Sequence, residues 1–331
     1  MERKRWNAEG FFTHPLGMVV AATAATFLWG SAFPFILLSY NELQIQTNEY
    51  FMQILFAGYR FFLAALLIMV FAYKVQGDIR YQKGTLRTVA TVGTFQTFLQ
   101  YVFFYIGMSY STGIQGSVIA GTTTFFQMLV AHFMFRDDKL NMRKIAGMVI
   151  GFLGVIIVNL GKSSGGAVTA ADQGIYIGIG SALLLGAMFC GGLGNVLVKK
   201  YSNNIGILYI TGYQMLFGSV ALIVVGASQV GLMPFTWTVK SASILIYLAF
   251  LSACGFVLWN YVMKFNQVSK VSLFLFFIPV FGVLLSAVLL REVVHATALI
   301  ALLLVVMGIV IVNRGAMRTH SKSDQSTFEE R

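Results

Sequence analysis

The segment Gly154-Val155-Ile156-Ile157-Val158-Asn159 closes one long apolar stretch, and Gly308-Ile309-Val310-Ile311-Val312-Asn313 closes another 154 residues later. The same offset relates Asp138 to Glu292, each between two apolar stretches, and Gly58-Tyr59-Arg60 to Gly212-Tyr213-Gln214. Solenoid repeats recur every 20 to 50 residues or so, whereas this period covers nearly half of the chain. The sequence therefore predicts that the chain consists of two structurally equivalent repeats.

The composition places both halves in a membrane. Of the 331 residues, 57% are hydrophobic and 11% are charged, and the mean hydropathy is +0.77, whereas a soluble domain has roughly 25% charged residues. The net charge of +11 does not indicate a nucleic-acid partner, because the basic residues lie in short breaks between apolar stretches, where they orient a membrane protein. Cys190 and Cys254 both lie inside apolar stretches, so no disulfide framework is expected.

The lengths of the apolar stretches predict the fold class. A bilayer core about 30 Å thick requires about 20 helical residues, and each helix in it must satisfy its own backbone hydrogen bonds. The sequence predicts an all-α polytopic membrane protein with ten transmembrane helices, at about residues 16 to 40, 50 to 73, 87 to 110, 113 to 135, 140 to 160, 174 to 198, 205 to 228, 241 to 264, 270 to 290 and 293 to 313. Since each half contains five helices, an odd number, the second half enters the membrane from the opposite side and forms a 5+5 inverted repeat.

The basic residues give an independent orientation. With a cytoplasmic N-terminus, nineteen Lys and Arg residues fall on the cytoplasmic side and three, Lys162, Lys240 and Arg291, fall outside. If any one helix were left out, the basic residues that follow it would change sides, and the excess on the cytoplasmic side would be lost. The positive-inside rule therefore supports ten helices with both termini in the cytoplasm, in a multi-pass protein of the cell (plasma or inner) membrane.

The predicted organisation has five parts: a cytoplasmic N-terminal segment (1–15), a first repeat (16–160), an extracytoplasmic linker (161–173), a second repeat (174–314) and a disordered cytoplasmic tail (315–331). The first helix follows a basic segment but is too long for a secretory signal, so it is interpreted as a mature helix. The linker contains Gly161-Lys162-Ser163, but Ile156 stands where a phosphate-binding loop requires glycine, so no use of ATP is expected.

Arg60 is the one fixed charge at bilayer depth, about 15 Å along the second helix and near the midplane. No Asp or Glu occurs within the ten predicted helices to pair with it. Two interpretations are open. In the first, a carboxylate or phosphate of a substrate pairs with Arg60. In the second, backbone carbonyls between the two halves accept from its five N–H donors. Its repeat equivalent, Gln214, is neutral.

Other polar and aromatic residues lie at a similar depth. On the third helix, Gln96 and Gln100 share one face with Phe103 and Gly107, beside Tyr101. Further donors and flat apolar surfaces come from Trp29, Gln127, Trp259 and Asn260. Taken singly, each amide is equally well explained as a hydrogen-bonding link between helices. Several at one depth on different helices favour a substrate cavity, for which the candidate residues are Trp29, Arg60, Gln96, Gln100, Tyr101, Gln127, Gln214, Trp259 and Asn260.

Other residues carry weaker signals. Pro34 and Pro279 interrupt the first and ninth helices, where each marks a kink or a hinge. His132 near the cytoplasmic end of the fourth helix is a candidate for proton coupling, although an interfacial histidine often has no such role. A stripe of Gly147, Gly151 and Gly154 favours close helix packing, within the chain or in a homodimer.

These motifs resemble the drug/metabolite transporter superfamily, specifically the EamA-like family of ten-helix transporters. The resemblance spans about residues 16 to 314 and rests on Leu28-Trp29-Gly30-Ser31, Arg60-Phe61, Pro279 followed by Glu292, and the two closing motifs. It implies a central cavity lined by helices one to four and six to nine, with the fifth and tenth peripheral. The first half departs from the family pattern, because Phe125 stands opposite Pro279 and Asp137-Asp138 replace the usual glutamate.

The resemblance implies secondary transport, as an exporter of a small organic metabolite such as an amino acid or related solute, by alternating access. Because no carboxylate is expected inside the membrane, facilitated transport or exchange is favoured over a proton relay. An enzyme is not expected, since the sequence offers neither a nucleophile with its base nor a metal cluster, and no cofactor or metal is implied. The alternatives are a lipid scramblase and a non-transporting membrane scaffold, which lipid flux without solute flux in liposomes would distinguish.

Overall fold

A computed structural model of the chain describes residues 8–77, 79–136, 138–160, 170–308 and 310–311. Within these ranges the chain is helical and contains no β-strand. The predicted N-terminal segment is described from residue 8 onwards. Most of the predicted linker and all of the predicted tail lie outside the described residues.

The helices follow one another as α1 (Ala8–Thr13), α2 (Pro15–Glu42), α3 (Tyr50–Gln76), α4 (Leu86–Gly93), α5 (Gln100–Ser109), α6 (Gly113–Ala120), α7 (Thr123–Met134), α8 (Met142–Leu160), α9 (Ala170–Tyr201), α10 (Ile207–Val230), α11 (Val239–Phe265), α12 (Val268–Ser272), α13 (Phe277–Leu289) and α14 (Ala296–Gly308). A π-helical turn, Thr94–Leu99, joins α4 to α5. A 3-10 turn, Leu273–Phe276, joins α12 to α13.

Eight of the described helical segments are long and apolar enough to cross a membrane, so the chain is a multi-pass membrane protein. They are Pro15–Glu42, Tyr50–Gln76, Leu86–Ser109, Gly113–Met134, Gly178–Tyr201, Ile207–Val230, Val239–Phe265 and Val268–Leu289. The predicted fifth and tenth helices coincide with α8 and α14, which are not among these eight. At about 1.5 Å per residue α14 is roughly 20 Å long, and the end of the predicted tenth helix lies outside the described residues.

Local sequence signals account for several helix ends. Thr112 precedes α6 and its hydroxyl accepts a hydrogen bond from the N–H of Gln115 at 3.1 Å. Thr238 and Ser241 form a reciprocal capping box at the start of α11. Gly77 ends α3 with φ of 77°, a left-handed conformation that glycine adopts without a steric penalty. These contacts satisfy backbone groups that would otherwise be left unpaired.

Glycines allow α3 and α10 to lie close together along their lengths. A Cβ atom on Gly58 would lie 2.7 Å from Ile223 Cγ1, and one on Gly212 would lie 3.5 Å from Met69 Cγ. With the 154-residue offset, Gly58 corresponds to Gly212 and Met69 to Ile223. Each half therefore uses the same two positions to contact the other half.

The same reciprocity holds between α8 and α14. A Cβ atom on Gly154 would lie 2.7 Å from the carbonyl oxygen of Ala301, and one on Gly308 would collide with the carbonyl of Gly147. At the 154-residue offset Gly147 corresponds to Ala301 and Gly154 to Gly308. The predicted glycine stripe thus makes packing contacts within the chain.

Candidate functional site

A cavity of about 70 Å³ lies at the centre of the bundle, between helices of both halves. Its walls come from α2, α3, α5, α9, α11, both parts of the α6–α7 segment, the 3-10 turn and α13. Of the predicted cavity residues, four line it directly: Trp29, Arg60, Gln100 and Tyr101. Small-molecule sites usually enclose about 300 to 1,000 Å³, so a metabolite can occupy this cavity only if the surrounding helices move apart.

Arg60 is 2% exposed and is held by neutral groups. Its Nε donates to the Ser252 hydroxyl at 2.8 Å and to the Leu248 carbonyl at 3.2 Å, and its Nη1 donates to the Tyr105 hydroxyl at 3.1 Å. Among the described residues, no carboxylate pairs with Arg60 and no group accepts from its Nη2. Arg60 therefore joins α3 to α5 and α11 and also lines the cavity.

Aromatic rings surround the guanidinium. Its carbon Cζ lies 4.8 Å from the centroid of Phe61 and 5.8 Å from that of Tyr101. These rings stabilise a cation without neutralising it, since their faces carry only partial negative charge. The net positive charge therefore remains available to an anionic group in the cavity.

Trp29 forms another part of the wall, and it lies close to α11. Its ring centroid is 5.6 Å from that of Trp259 and 5.3 Å from that of Phe256. A Cβ on Gly255 would lie 2.8 Å from Trp29 Nε1, so only glycine lets the indole pack this tightly. Trp259 is fully buried behind Trp29 rather than lining the cavity. The indole N–H groups of both tryptophans lack acceptors among the described residues.

Asn195 lines the cavity and joins two of the predicted glutamines. Gln96 Nε2 donates to its Oδ1 at 2.8 Å, and its Nδ2 donates to Gln127 Oε1 at 2.9 Å. Gln127 Nε2 in turn donates to the Ser272 hydroxyl at 2.6 Å. Gln96 and Gln127 are therefore connected to the cavity through Asn195, which the sequence interpretation missed. A polar amide within an apolar helix, the signal used for the glutamines, also marks Asn195.

The predicted polar face of the third helix packs against α9. A Cβ on Gly191 would lie 2.8 Å from Gln100 Nε2, and one on Gly194 would lie 2.5 Å from Gln96 Cβ. The π-helical turn contains Gln96 and ends just before Gln100. Such turns insert one extra residue per turn and are often found at functional sites. Here the turn presents both amides to the same neighbouring helix.

Two predicted residues lie away from the cavity. Gln214 Oε1 accepts a hydrogen bond from the Thr97 hydroxyl at 2.7 Å, and its Nε2 has no partner among the described residues. Asn260 Nδ2 donates to the Thr211 hydroxyl at 2.9 Å. Neither side chain lines the cavity. Both connect neighbouring helices, which is the packing interpretation of such amides.

Two broken helices meet at the cavity. α6 ends at Ala120 and α7 begins at Thr123, while the 3-10 turn separates α12 from α13. At the 154-residue offset, Gly121 in the first break corresponds to Leu275 in the second. A Cβ on Gly121 would lie 3.4 Å from Pro279 Cγ, so the two breaks are adjacent. Ala120, Thr123, Leu275 and Ile278 from these segments line the cavity.

Threonines stabilise the break between α6 and α7. The Thr122 hydroxyl donates to the Ile119 carbonyl at 2.7 Å, and the Thr123 hydroxyl donates to the Ala120 carbonyl at 2.8 Å. A broken helix frees carbonyls that are costly to leave unpaired in a membrane. The Thr123 hydroxyl provides such a partner for the Ala120 carbonyl, while the Ile119 carbonyl also accepts from the backbone N–H of Thr122 at 2.9 Å.

The two prolines occupy different settings. Pro279 is the third residue of α13, directly after the 3-10 turn, where its missing N–H would have no helical partner. Pro34 lies inside α2, which continues through it as a regular helix. Pro279 thus accompanies an interruption, and Pro34 does not.

His132 lies at the end of α7, apart from the cavity. Its Nδ1 accepts a hydrogen bond from the backbone N–H of Leu140 at 3.0 Å. This bond anchors the segment that follows α7. In the described part of the chain, no three His, Cys, Asp or Glu side chains are grouped as a metal site requires.

Comparison with known proteins identifies relatives of this chain. The model of the EamA-like transporter family matches residues 16–160 and 178–314. The chain is 27% identical over 270 residues to "Uncharacterized transporter YvbV" of Bacillus subtilis (strain 168), covering 78% of this chain and 82% of that protein. Over 270 residues it is 24% identical to the "Probable amino-acid metabolite efflux pump" of Salmonella typhimurium (strain LT2), covering 78% and 84%. These names point to transporters rather than enzymes.

A solved crystal structure shares the fold. It superposes with a TM-score of 0.65 over 91% of this chain and 97% of the other, at 16% sequence identity. An "Uncharacterized transporter" of Archaeoglobus fulgidus is 26% identical over 301 residues, covering 89% of this chain and 98% of that protein. The similarity therefore extends along nearly the whole chain.

Proposed function

Because the chain belongs to the EamA-like transporter family, we propose that it is a secondary carrier that exports a small organic metabolite by alternating access. An amino acid or a related solute is the proposed class of substrate. One relative is named for amino-acid metabolite efflux, and the charge of the central cavity suits a solute that carries a carboxylate. The proposed location is the cell membrane.

Arg60 is the observation that carries this proposal. Its guanidinium is buried at the cavity with only neutral partners among the described residues. A carboxylate on the solute would complete the pairing through charge-assisted hydrogen bonds, which are about twice as strong as neutral ones. The aromatic groups of Trp29, Tyr101 and Phe256 would then cover the apolar part of the solute.

The proposed architecture is ten helices in two five-helix repeats of opposite orientation, with repeats at 16–160 and 174–314. The reciprocal contacts support it, since Gly58 with Ile223 and Gly212 with Met69 are related as a two-fold axis relates them. In this layout α8 and α14 are the fifth and tenth helices and pack on each other at the periphery. Segments 1–15 and 315–331 are proposed to be cytoplasmic, and the linker 161–173 extracytoplasmic.

The proposed mechanism is facilitated transport or exchange rather than proton coupling. None of the described residues that line the cavity is an Asp or a Glu. His132 is proposed to have a structural role, since its Nδ1 is used by the Leu140 N–H at the end of α7. Movement of the halves would therefore be driven by the gradient of the solute itself or by a counter-solute.

The test begins by identifying solutes and then measures their exchange. Metabolite profiles of overexpressing and deletion cells would name candidates, and counterflow of each labelled candidate would be measured with purified protein in liposomes. We expect that Arg60→Gln lowers the affinity for carboxylate solutes about 10- to 100-fold, because a charged hydrogen bond contributes roughly 1.5–3 kcal/mol. Solute binding by thermal shift should weaken in parallel.

Tyr105→Phe is the matched control for Arg60. It removes the hydroxyl that accepts from Arg60 Nη1 but leaves the guanidinium in the cavity. We expect it to change solute affinity less than about threefold, since the guanidinium keeps its charge and its bonds to Ser252 and Leu248. Equal losses of yield and counterflow in the two variants would instead assign Arg60 a purely structural role.

A further inference from the structure

Two acidic residues, Asp138 and Glu292, each hold the start of a helix in the opposite half of the chain. Glu292 follows α13, and its Oε1 and Oε2 accept hydrogen bonds from the N–H groups of Gly113 and Ile114 at 2.7 and 2.9 Å. These are the first two residues of α6. With Thr112 accepting from Gln115, the free N–H groups at this helix start are paired.

Asp138 makes the corresponding contact at the other broken helix. It follows α7, and its Oδ2 accepts a hydrogen bond from the N–H of Ser269, in α12, at 3.1 Å. Its Oδ1 pairs with Lys144 Nζ at 2.9 Å. Asp138 is 8% exposed, so little water competes for these bonds.

The repeat offset shows that the two contacts are equivalent. Asp138 corresponds to Glu292, and Ser269 corresponds to Gln115 in the first turn of α6. Each acid follows one broken helix and caps the other, so the pair of broken helices is tied together at both ends. One contact joins the end of α13 to the start of α6, and the other joins the end of α7 to the start of α12. The two contacts therefore lie at opposite ends of the pair.

The backbone before Glu292 supports a specific role for this contact. Arg291 has φ of 54°, in the left-handed region that residues other than glycine seldom adopt. This turn directs Glu292 back towards α6. A strained conformation persists only where the surrounding contacts hold it in place, and the two hydrogen bonds to α6 are such contacts.

We propose that Asp138 and Glu292 are positioning residues for transport, two latches that open one at a time. Release of Glu292 separates α6 from α13 and opens the outer side of the cavity, while release of Asp138 separates α7 from α12 and opens the inner side. This inference rests on the proposed carrier function, since alternating access requires that one end opens while the other stays closed. Each carboxylate therefore biases the carrier towards closure of its own side.

The experiment measures exposure at each end rather than transport. In a background with Cys190 and Cys254 replaced by alanine, Ser286→Cys reports the outer end and Ser269→Cys the inner end. Ser286 is fully buried against Gly113, and Ser269 is 8% exposed. A membrane-impermeant maleimide is added to right-side-out and to inside-out vesicles, and the labelling rate of each reporter is measured.

The two latch variants should change exposure in opposite directions. We expect Glu292→Gln to raise outer labelling of the residue 286 reporter about tenfold without raising inner labelling, because a neutral amide cannot replace both charged hydrogen bonds. Asp138→Asn should raise labelling of the residue 269 reporter by a similar factor and leave the residue 286 reporter unchanged or slower. Glu292→Asp, which keeps the charge but shortens its reach, should fall between Glu292→Gln and the unmodified chain.

Glu42→Gln is the matched control. Glu42 makes an ion pair with the well-exposed Lys240, and such surface pairs contribute little, so neither reporter should change. An increase at both reporters in either latch variant would indicate general loosening and overturn the proposal, as would no change in either. Labelling is read without solute, so a failure of transport in liposomes leaves this result unaffected and counts only against the proposed function.

Discussion

At the scale of single residues, Asn195 connects the cavity to two neighbouring segments, the π-helical turn and α7. It is 4% exposed, and its amide both accepts from Gln96 and donates to Gln127. We expect Asn195→Leu to lower the free energy of unfolding by about 2 kcal/mol, because it leaves a buried donor and a buried acceptor unpaired. A thermal unfolding curve of the purified protein in detergent would measure the loss.

Gln214→Met is the control for Asn195. Gln214 makes one hydrogen bond, to Thr97, and its Nε2 is already unpaired among the described residues. Its replacement should therefore cost clearly less than that of Asn195. A loss as large as that of Asn195→Leu would contradict the view that the linked amides stabilise the cavity wall.

The sequence identified most polar residues of this region but not their partners. Gln96, Gln100 and Gln127 stand out as amides in apolar helices, whereas Asn195, which carries the same signal, is absent from the predicted cavity residues. Trp259 and Asn260 are neighbours in sequence and point about 100° apart on α11. One therefore packs on Trp29 and the other bonds to Thr211 on α10. Depth in the membrane can be estimated from sequence, but direction around a helix requires the packed structure.

At the scale of helices, the interrupted α12–α13 segment offers a hinge beside the cavity. Pro279 has no N–H, and its ring prevents the 3-10 turn from continuing as a regular helix into α13. We expect Pro279→Ala to slow exchange at saturating solute about tenfold with little change in solute affinity, because a continuous helix resists the bending that opening requires. Counterflow rates and thermal-shift binding would separate these two effects.

Pro34→Ala is the control, since α2 continues through Pro34 without a break. It should alter the exchange rate less than about twofold. Equal slowing by both substitutions would show that the effect comes from lost proline packing rather than from the hinge.

Proline signalled the break at Pro279 in the sequence, but the equivalent break at Gly121 has no proline. There the Thr122 and Thr123 hydroxyls donate to the carbonyls of Ile119 and Ala120. Threonine in a membrane helix more often continues the helix while bonding a preceding carbonyl, so the residue type alone does not predict a break. The π-helical turn at Thr94–Leu99 was missed for a related reason, since one extra residue barely disturbs the polar and apolar pattern.

At the scale of the whole molecule, the contacts repeat in both directions along the chain. Gly154 meets Ala301 while Gly308 meets Gly147, and Glu292 caps α6 while Asp138 caps α12. The 154-residue offset in the sequence predicts the equivalence of the halves, since the offset relates their motifs. It cannot predict that each half binds the equivalent surface of the other, because that depends on how the halves pack.

The inverted orientation of the halves is tested by the side of the membrane on which the linker lies. If five helices precede it, Lys162 and the N-terminus lie on opposite sides, whereas an even number would put them on the same side. In a cysteine-free background, Lys162→Cys should react with an impermeant maleimide added to intact cells. Lys322→Cys in the predicted tail should react only after the cells are opened. Both positions lie outside the described residues, so this measurement is independent of the helix packing. Protection of the residue 162 cysteine in intact cells, with a cytosolic N-terminus, would rule out the inverted repeat and with it the assignment of Glu292 to the outer side.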